Sequence, residues 1–369
     1  IRDRLMTAGA RAQNPPDEQF TVLTAIQIPG PELTAFDIGF VDPVMGLYLL
    51  SDRTHATLDV FDTETNTLLY QLPGFVGSKP SAKDSGPDGV LTVHSRFAVV
   101  GDGDSTVKFV DLVGQKIIKT VSTGGTRRAD EMAYDPRNQI VIVANDAETP
   151  PYVSFLSAKF GHFGDYLGKL DFADATNGLE QPQWSFTTGL FYQAVPEVNH
   201  VAGSGVIAVI EPTSMKRVRD LPVADCTPAG LAIGPNREAM VGCNNEPVKI
   251  ISLDTGNVIA TYPNIGHADE VWYNPGDGHY FVAAGSNPGG AVVGVIDAFT
   301  HVVDQVAPSV AGNHSIAADP IFNRVYVASR AFTSPFVPCT NGCIIVAAPI
   351  GQDDPGIPPS SIVKSSMTK

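Results

Sequence analysis

RADEMAYDP (Arg128–Pro136), HADEVWYNP (His267–Pro275) and HSIAADP (His314–Pro320) are copies of one phrase. Weaker copies read FDIGFVDP (Phe36–Pro43), GPDGVLTV (Gly86–Val93), LEQPQWSF (Leu179–Phe186) and TPAGLAIGP (Thr227–Pro235). Self-similarity at a spacing of roughly 40 to 50 residues marks a repeat architecture, in which each unit buries its apolar faces against its neighbours.

The residues after each phrase define the unit. HADEVWYNP is followed by a turn (Gly276–Gly278), then YFVAAG, VVGVIDAFT and VVDQVA. FDIGFVDP is followed by LYLLSD, LDVFDTETN and TLLYQLP. Runs of β-branched and aromatic residues between Gly, Pro, Asn and Asp clusters read as strands. Four per unit make an antiparallel propeller blade, and no sustained helical period competes with it. First strands are expected near Phe36, Pro87, Ala129, Leu179, Pro228, Ala268 and Asn313, so the fold class is all-β, a seven-bladed β-propeller. TVLTAIQIP (Thr21–Pro29) matches the fourth strand of a blade and is expected to complete the last one, closing the ring from the N-terminus. Between Phe155 and Leu179 the period breaks, and residues 158–178 read as an outer hairpin or insertion. The expected organisation is an extension over residues 1–19, one propeller over 20–350, and a flexible Pro- and Ser-rich tail over 351–369.

Bulk properties narrow the class. Repeat folds escape the single-core size limit, so 369 residues fit one domain. The longest apolar run is far too short for a membrane span. A net charge of −15 argues against nucleic acid, whose phosphates would be repelled. A closed ring has little need of partners, so a monomer is expected. Cys339 and Cys343 flank a turn-forming Thr-Asn-Gly, and Cys226 and Cys243 are placed at the same end of one blade by antiparallel pairing. Two such pairs point to disulfides and a periplasmic or extracellular protein, with four reduced thiols as the alternative. The chain opens on IRDRLMTAGARA without a hydrophobic signal segment, so an exported protein is expected in processed form.

HADEVWYNP and HSIAADP, with RVYVAS and VIDAFT after them, resemble the YVTN-type repeat of bacterial and archaeal surface-layer and periplasmic propellers, over roughly residues 20–350. The resemblance implies the seven-bladed fold. More distantly it extends to the heavy chain of quinoprotein amine dehydrogenase, nitrite reductase, lactonases and virginiamycin B lyase, whose activities differ too much to imply one here.

Aligned on their last residues, the phrases stack Asp37, Asp88, Asp130, Glu180, Ala229, Asp269 and His314 in one column. First strands line the channel of a propeller, so equivalent positions form a ring. Converging carboxylates repel unless protons, water or a cation intervene. Asp37, Asp88, Asp130, Glu180, Asp269 and His314 are therefore candidate ligands for a divalent metal: calcium or magnesium for carboxylates alone, a transition metal if histidine joins. Two other readings stay open. The column can point sideways and bond backbone amides, or line a hydrated channel. The next column, Ile38, Gly89, Glu131, Gln181, Gly230, Glu270 and Ser315, has the composition of a packing face, although Glu131 and Glu270 leave the phase open.

Loops returning to the same mouth bring Arg53, Asn145, Asn287 and Arg330, and Arg128 precedes the column by two residues. These five are candidate contacts for a small-molecule ligand. Glu131 or Glu270 beside His267 is a candidate general base, with a ring-bound metal steadying an enolate. GxSxG is absent, and the glycine clusters GDGDS and GSNPGG sit between strands, so neither a serine hydrolase nor a nucleotide cofactor is expected. Two functions follow: an exported propeller binding a small ligand or cation at the channel mouth, or a metal-dependent lyase or hydrolase there. An electron-transfer partner is a third.

Overall fold

The computed structural model describes residues 19–334 and 337–350. The tail expected over 351–369, and all of the expected extension except Gln19, lie outside the described residues. Seven antiparallel sheets of four strands each form the molecule. Their inner strands are Gly39–Asp42, Val90–Val93, Met132–Asp135, Pro182–Trp184, Pro228–Ile233, Val271–Asn274 and Ile316–Asp319. Each touches the inner strands of the two flanking blades, and that of the seventh touches that of the first. The chain is a closed seven-bladed β-propeller. Its last blade takes its outer strand, Phe20–Gln27, from the N-terminus, paired antiparallel with Cys343–Pro349.

Apolar residues sit between blades rather than within them. Seven buried clusters each join two adjacent blades. Where the ring closes, Tyr48 and Phe61 of the first blade pack on Tyr326, Ile344 and Val346 of the seventh, and Tyr48 and Tyr326 stack at 5.0 Å. The middle strands are covered on both faces, which is why Ile140–Asn145 is buried at every position. Outer strands such as Lys116–Ser122 are largely exposed and more polar. A register shift interrupts the outermost pairing of every blade, for example at Phe109/Val110 and Val209/Ile210. Such bulges add local twist.

The Asp-Pro or Asn-Pro that ends a phrase is a turn device, as Asn274 Oδ1 shows by accepting from Gly276 N at 3.0 Å. Asp135 Oδ1 accepts from the backbone N–H groups of Arg137 (2.8 Å) and Asn138 (3.2 Å). Asp42 does the same for Val44 and Met45, at 2.9 and 3.0 Å. The stretch 158–178, expected as an outer hairpin or insertion, supplies the second arm of an outer hairpin. It contains Tyr166–Asp171, which pairs with Tyr152–Ser157 as the outer strand of the third blade. Its sequence, YLGKLD, has no β-branched residue and carries Gly168 beside the register shift, so it lacks the composition by which strands are read.

Candidate functional site

The charged column converges just ahead of the inner strands. Asp37, Asp88 and Asp130, from three consecutive blades, bring carboxylate oxygens within 4.8 Å of one another. Two glycines allow this approach: a Cβ at Gly89 would lie 2.4 Å from the Asp130 carbonyl, and one at Gly101 would lie 2.1 Å from that of Ala129. Arg53, from the loop after the second strand of the first blade, spans the gap between two blades. Its Nη2 donates to Asp37 at 2.5 Å and also to Asp88, and its Nε donates to Asp88 at 3.0 Å. Arg128 meets Asp130 at 2.6 Å and forms a two-pronged pair with Asp146, at 2.9 and 3.1 Å. His314 stacks on Phe36 at 4.8 Å, bonds the Gly312 carbonyl through Nδ1 at 2.9 Å, and points Nε2 to Asp37 at 3.6 Å.

Two guanidinium groups therefore supply positive charge inside the ring. Burial pushes Asp37 up, but Arg53, His314 and Arg128 outweigh it and hold its pKa down at about 2. The other acids go the opposite way. Burial raises Asp88 well above its ordinary value despite Arg53, and Asp130 and Asp37 add to the rise. Burial likewise raises Asp130 well above its ordinary value despite Arg128, with Asp146 and Asp37 adding to it. Burial and the charges of Asp269 and Asp130 raise Glu180, and Asp269 itself is raised by burial. His314 is lowered by burial but raised more by Asp37 and Asp269, so it is a stronger base than a free imidazole.

The next column turns toward neighbouring blades. Gln181 Oε1 accepts from Leu231 N at 2.6 Å, and Glu270 Oε2 accepts from Ile316 N at 3.1 Å. A Cβ at Gly230 would meet the Asp269 carbonyl at 2.2 Å. Glu270 is thus tied to the seventh blade, with its other oxygen buried and unpartnered among the described residues. Glu131 has a different setting: it is only 6% exposed, leaves Oε2 unpartnered, and lines a cavity in the channel. Burial, then the charges of Asp130, Glu180, Glu270 and Asp269, raise its pKa well above the ordinary range.

That cavity, about 340 Å³, is walled by inner strands of the first six blades and holds Phe40, Tyr134, Trp184, Trp272 and Tyr273. Phe40 and Trp272 meet edge to face at 5.6 Å across the seventh blade, whose inner strand carries only small Ala317 and Ala318 at that level. This wall was missed in the sequence, although a trace of it is there. The residue before the final Asp, Asn or equivalent of five phrases is Thr92, Tyr134, Trp184, Ile233 or Tyr273, and all five line the cavity.

The remaining candidates are not drawn into one site. His267 is half-buried at φ 52, with its backbone N–H on the Glu246 carbonyl. Asn145 is fully buried and donates to Val143 O and Ser154 Oγ. Asn287 shapes its own loop through Gly266 N and Gly290 O. Arg330 is exposed, with its guanidinium carbon 3.8 Å from where a Cβ at Gly312 would sit. Beyond the channel, His279, Asp297 and Asp304 of the sixth blade form a second group able to hold a metal. His279 is completely buried there, between Asp304 at 2.9 Å and Asp277 at 3.3 Å.

Both cysteine pairs lie at disulfide distance, Cys226 with Cys243 and Cys339 with Cys343, with Cα separations of 5.2 and 5.5 Å. No helix among the described residues is long and apolar enough to cross a membrane. No protein-family model matches the chain, and no curated protein matches it. What the structure shows of the YVTN resemblance is the propeller itself, seven four-stranded antiparallel blades, and that fold is the class to which the protein is assigned.

Proposed function

We propose that this propeller is an exported binding protein that takes a small organic ligand in its central channel, above the carboxylate ring. The observation that carries the reading is the aromatic-walled cavity of about 340 Å³ with Glu131 on its wall. Concave sites of roughly this size, mostly apolar with few polar groups, are the usual form of small-molecule sites. The paired cysteines support an oxidising compartment. Both tryptophans of the chain, Trp184 and Trp272, line the cavity, so intrinsic fluorescence reports its occupancy directly. The test is a fluorescence and thermal-shift titration against a panel of small amines, sugars and aromatic acids. A saturable change lost in Trp272→Leu supports the reading; no response in either measurement across the panel rejects it.

A metal-dependent lyase or hydrolase is the second reading. It rests on the Asp37, Asp88 and Asp130 oxygens lying within 4.8 Å of one another. Such oxygens suit a hard cation. Arg53 already bonds two of those carboxylates, which favours binding over metal catalysis. Elemental analysis of the purified protein separates the two: a stoichiometric divalent metal, lost in Asp88→Asn, would favour the enzyme.

A further inference from the structure

We infer that the central cavity selects an organic cation, a small alkylammonium carrying a hydroxyl or ether oxygen. This deepens the proposed binding function and rests on the cavity being a ligand site.

Three features of the wall converge on that chemistry. The first is its aromatic content: Phe40, Tyr134, Trp184, Trp272 and Tyr273 surround one space. Aromatic faces attract alkylammonium groups, which shed water more readily than metal ions do. The second is Glu131. It is 6% exposed and has one carboxylate oxygen without a partner among the described residues. An unpartnered buried acceptor is costly, and a bound cation would satisfy it. The third is Trp184, whose ring lines the same space and whose buried Nε1 donor has no partner among the described residues, which suits an oxygen on the same ligand.

Competing occupants fit less well. A hard metal ion needs about six to eight oxygens, and this wall is chiefly carbon. The nearby guanidinium groups do not fill the space: Arg53 and Arg128 are held by ring carboxylates, and exposed Arg137 packs on Trp184, its guanidinium carbon 5.4 Å from the ring centre.

The test compares choline chloride with its uncharged isostere, 3,3-dimethylbutan-1-ol, by tryptophan fluorescence of the full chain. Choline is expected to bind at least about tenfold more tightly. Glu131→Gln should weaken choline more than it weakens the alcohol and so reduce the preference. Should that variant fail to fold, Tyr134→Leu should weaken choline more than the alcohol. Equal binding of both probes, or binding of the alcohol alone, overturns the cation inference and leaves the cavity reading intact. Silence with both probes overturns the inference, and the wider panel then judges the cavity. A response to calcium chloride without one to choline would make the channel a metal site and would also overturn it.

Discussion

Arg53 lies 2.5 Å from Asp37 of its own blade and, through the same nitrogen, bonds Asp88 of the next, so one guanidinium ties two blades together at the channel. All three side chains are buried. Removing one partner from a buried ion pair leaves an uncompensated charge and typically costs about 3–5 kcal/mol. Arg53→Met is expected to lose stability on that scale in urea denaturation. With the guanidinium gone, Asp37, Asp88 and Asp130 should recruit a divalent ion. Calcium chloride should then raise the melting temperature of the variant more than that of the wild type.

The dependence of stability on pH has a definite sign. Asp37 is lowered from 3.8 to about 2, so it contributes about 2 kcal/mol that is present above pH 3.8 and lost as pH falls through 2. Asp88, Asp130, Glu131, Glu180, Asp269 and Glu270 are raised, so the folded state keeps protons that the unfolded chain releases above about pH 4. Their contribution is complete below the unfolded values and fades as pH rises. His314 and His279, also raised, contribute fully below 6.5 and lose this through their folded values. Melting temperature is therefore expected to be higher near pH 5 than at pH 8. Asp88→Asn should flatten that slope; an unchanged slope would count against the burial of these acids.

The two disulfides should differ in weight. Cys226–Cys243 spans 17 residues and joins the segment just before the inner strand of the fifth blade to the end of its second strand. Loop-closure entropy assigns it about 3 kcal/mol. Cys339–Cys343 spans 4 residues and is assigned about 2 kcal/mol. Paired Cys→Ala variants, compared by chemical denaturation, should reproduce that order.

Closure of the ring depends on the first described strand. Phe20 is nearly buried, meets Phe281 edge to face at 5.2 Å and His279 at 5.8 Å, and lies opposite Pro349. Phe20→Ala is expected to cost about 3 kcal/mol. Hydrogen exchange should show the loss first in Cys343–Pro349, the strand that would become an edge.

Much of this fold was legible because its determinants are local. Asp42 and Asp135 cap turns within three residues of themselves, so Asp-Pro recurs as text. Thr21–Pro29 carries the pattern of a fourth strand wherever it sits in the chain. The exception was Tyr166–Asp171, which has no β-branched residue and a glycine in its middle, and so lacks the composition that reading requires. At the site, equivalent positions of a repeat must converge, so Asp37, Asp88 and Asp130 were identifiable as neighbours. Arg53 and Arg128 were identifiable only as nearby residues, since nothing in their spacing reveals which carboxylate each would hold.

The sequence by itself determined the blade count, the closing strand, the cysteine pairs and the charged column, because each follows from periodicity or from short chain separations. Only the tertiary structure decided how that charge is compensated and what lies beside it. Arg53 reaches Asp88 across 35 residues, and Phe40 meets Trp272 over the small side chains of another blade. Such contacts arise when the ring closes, and no local pattern encodes the distance between two blades.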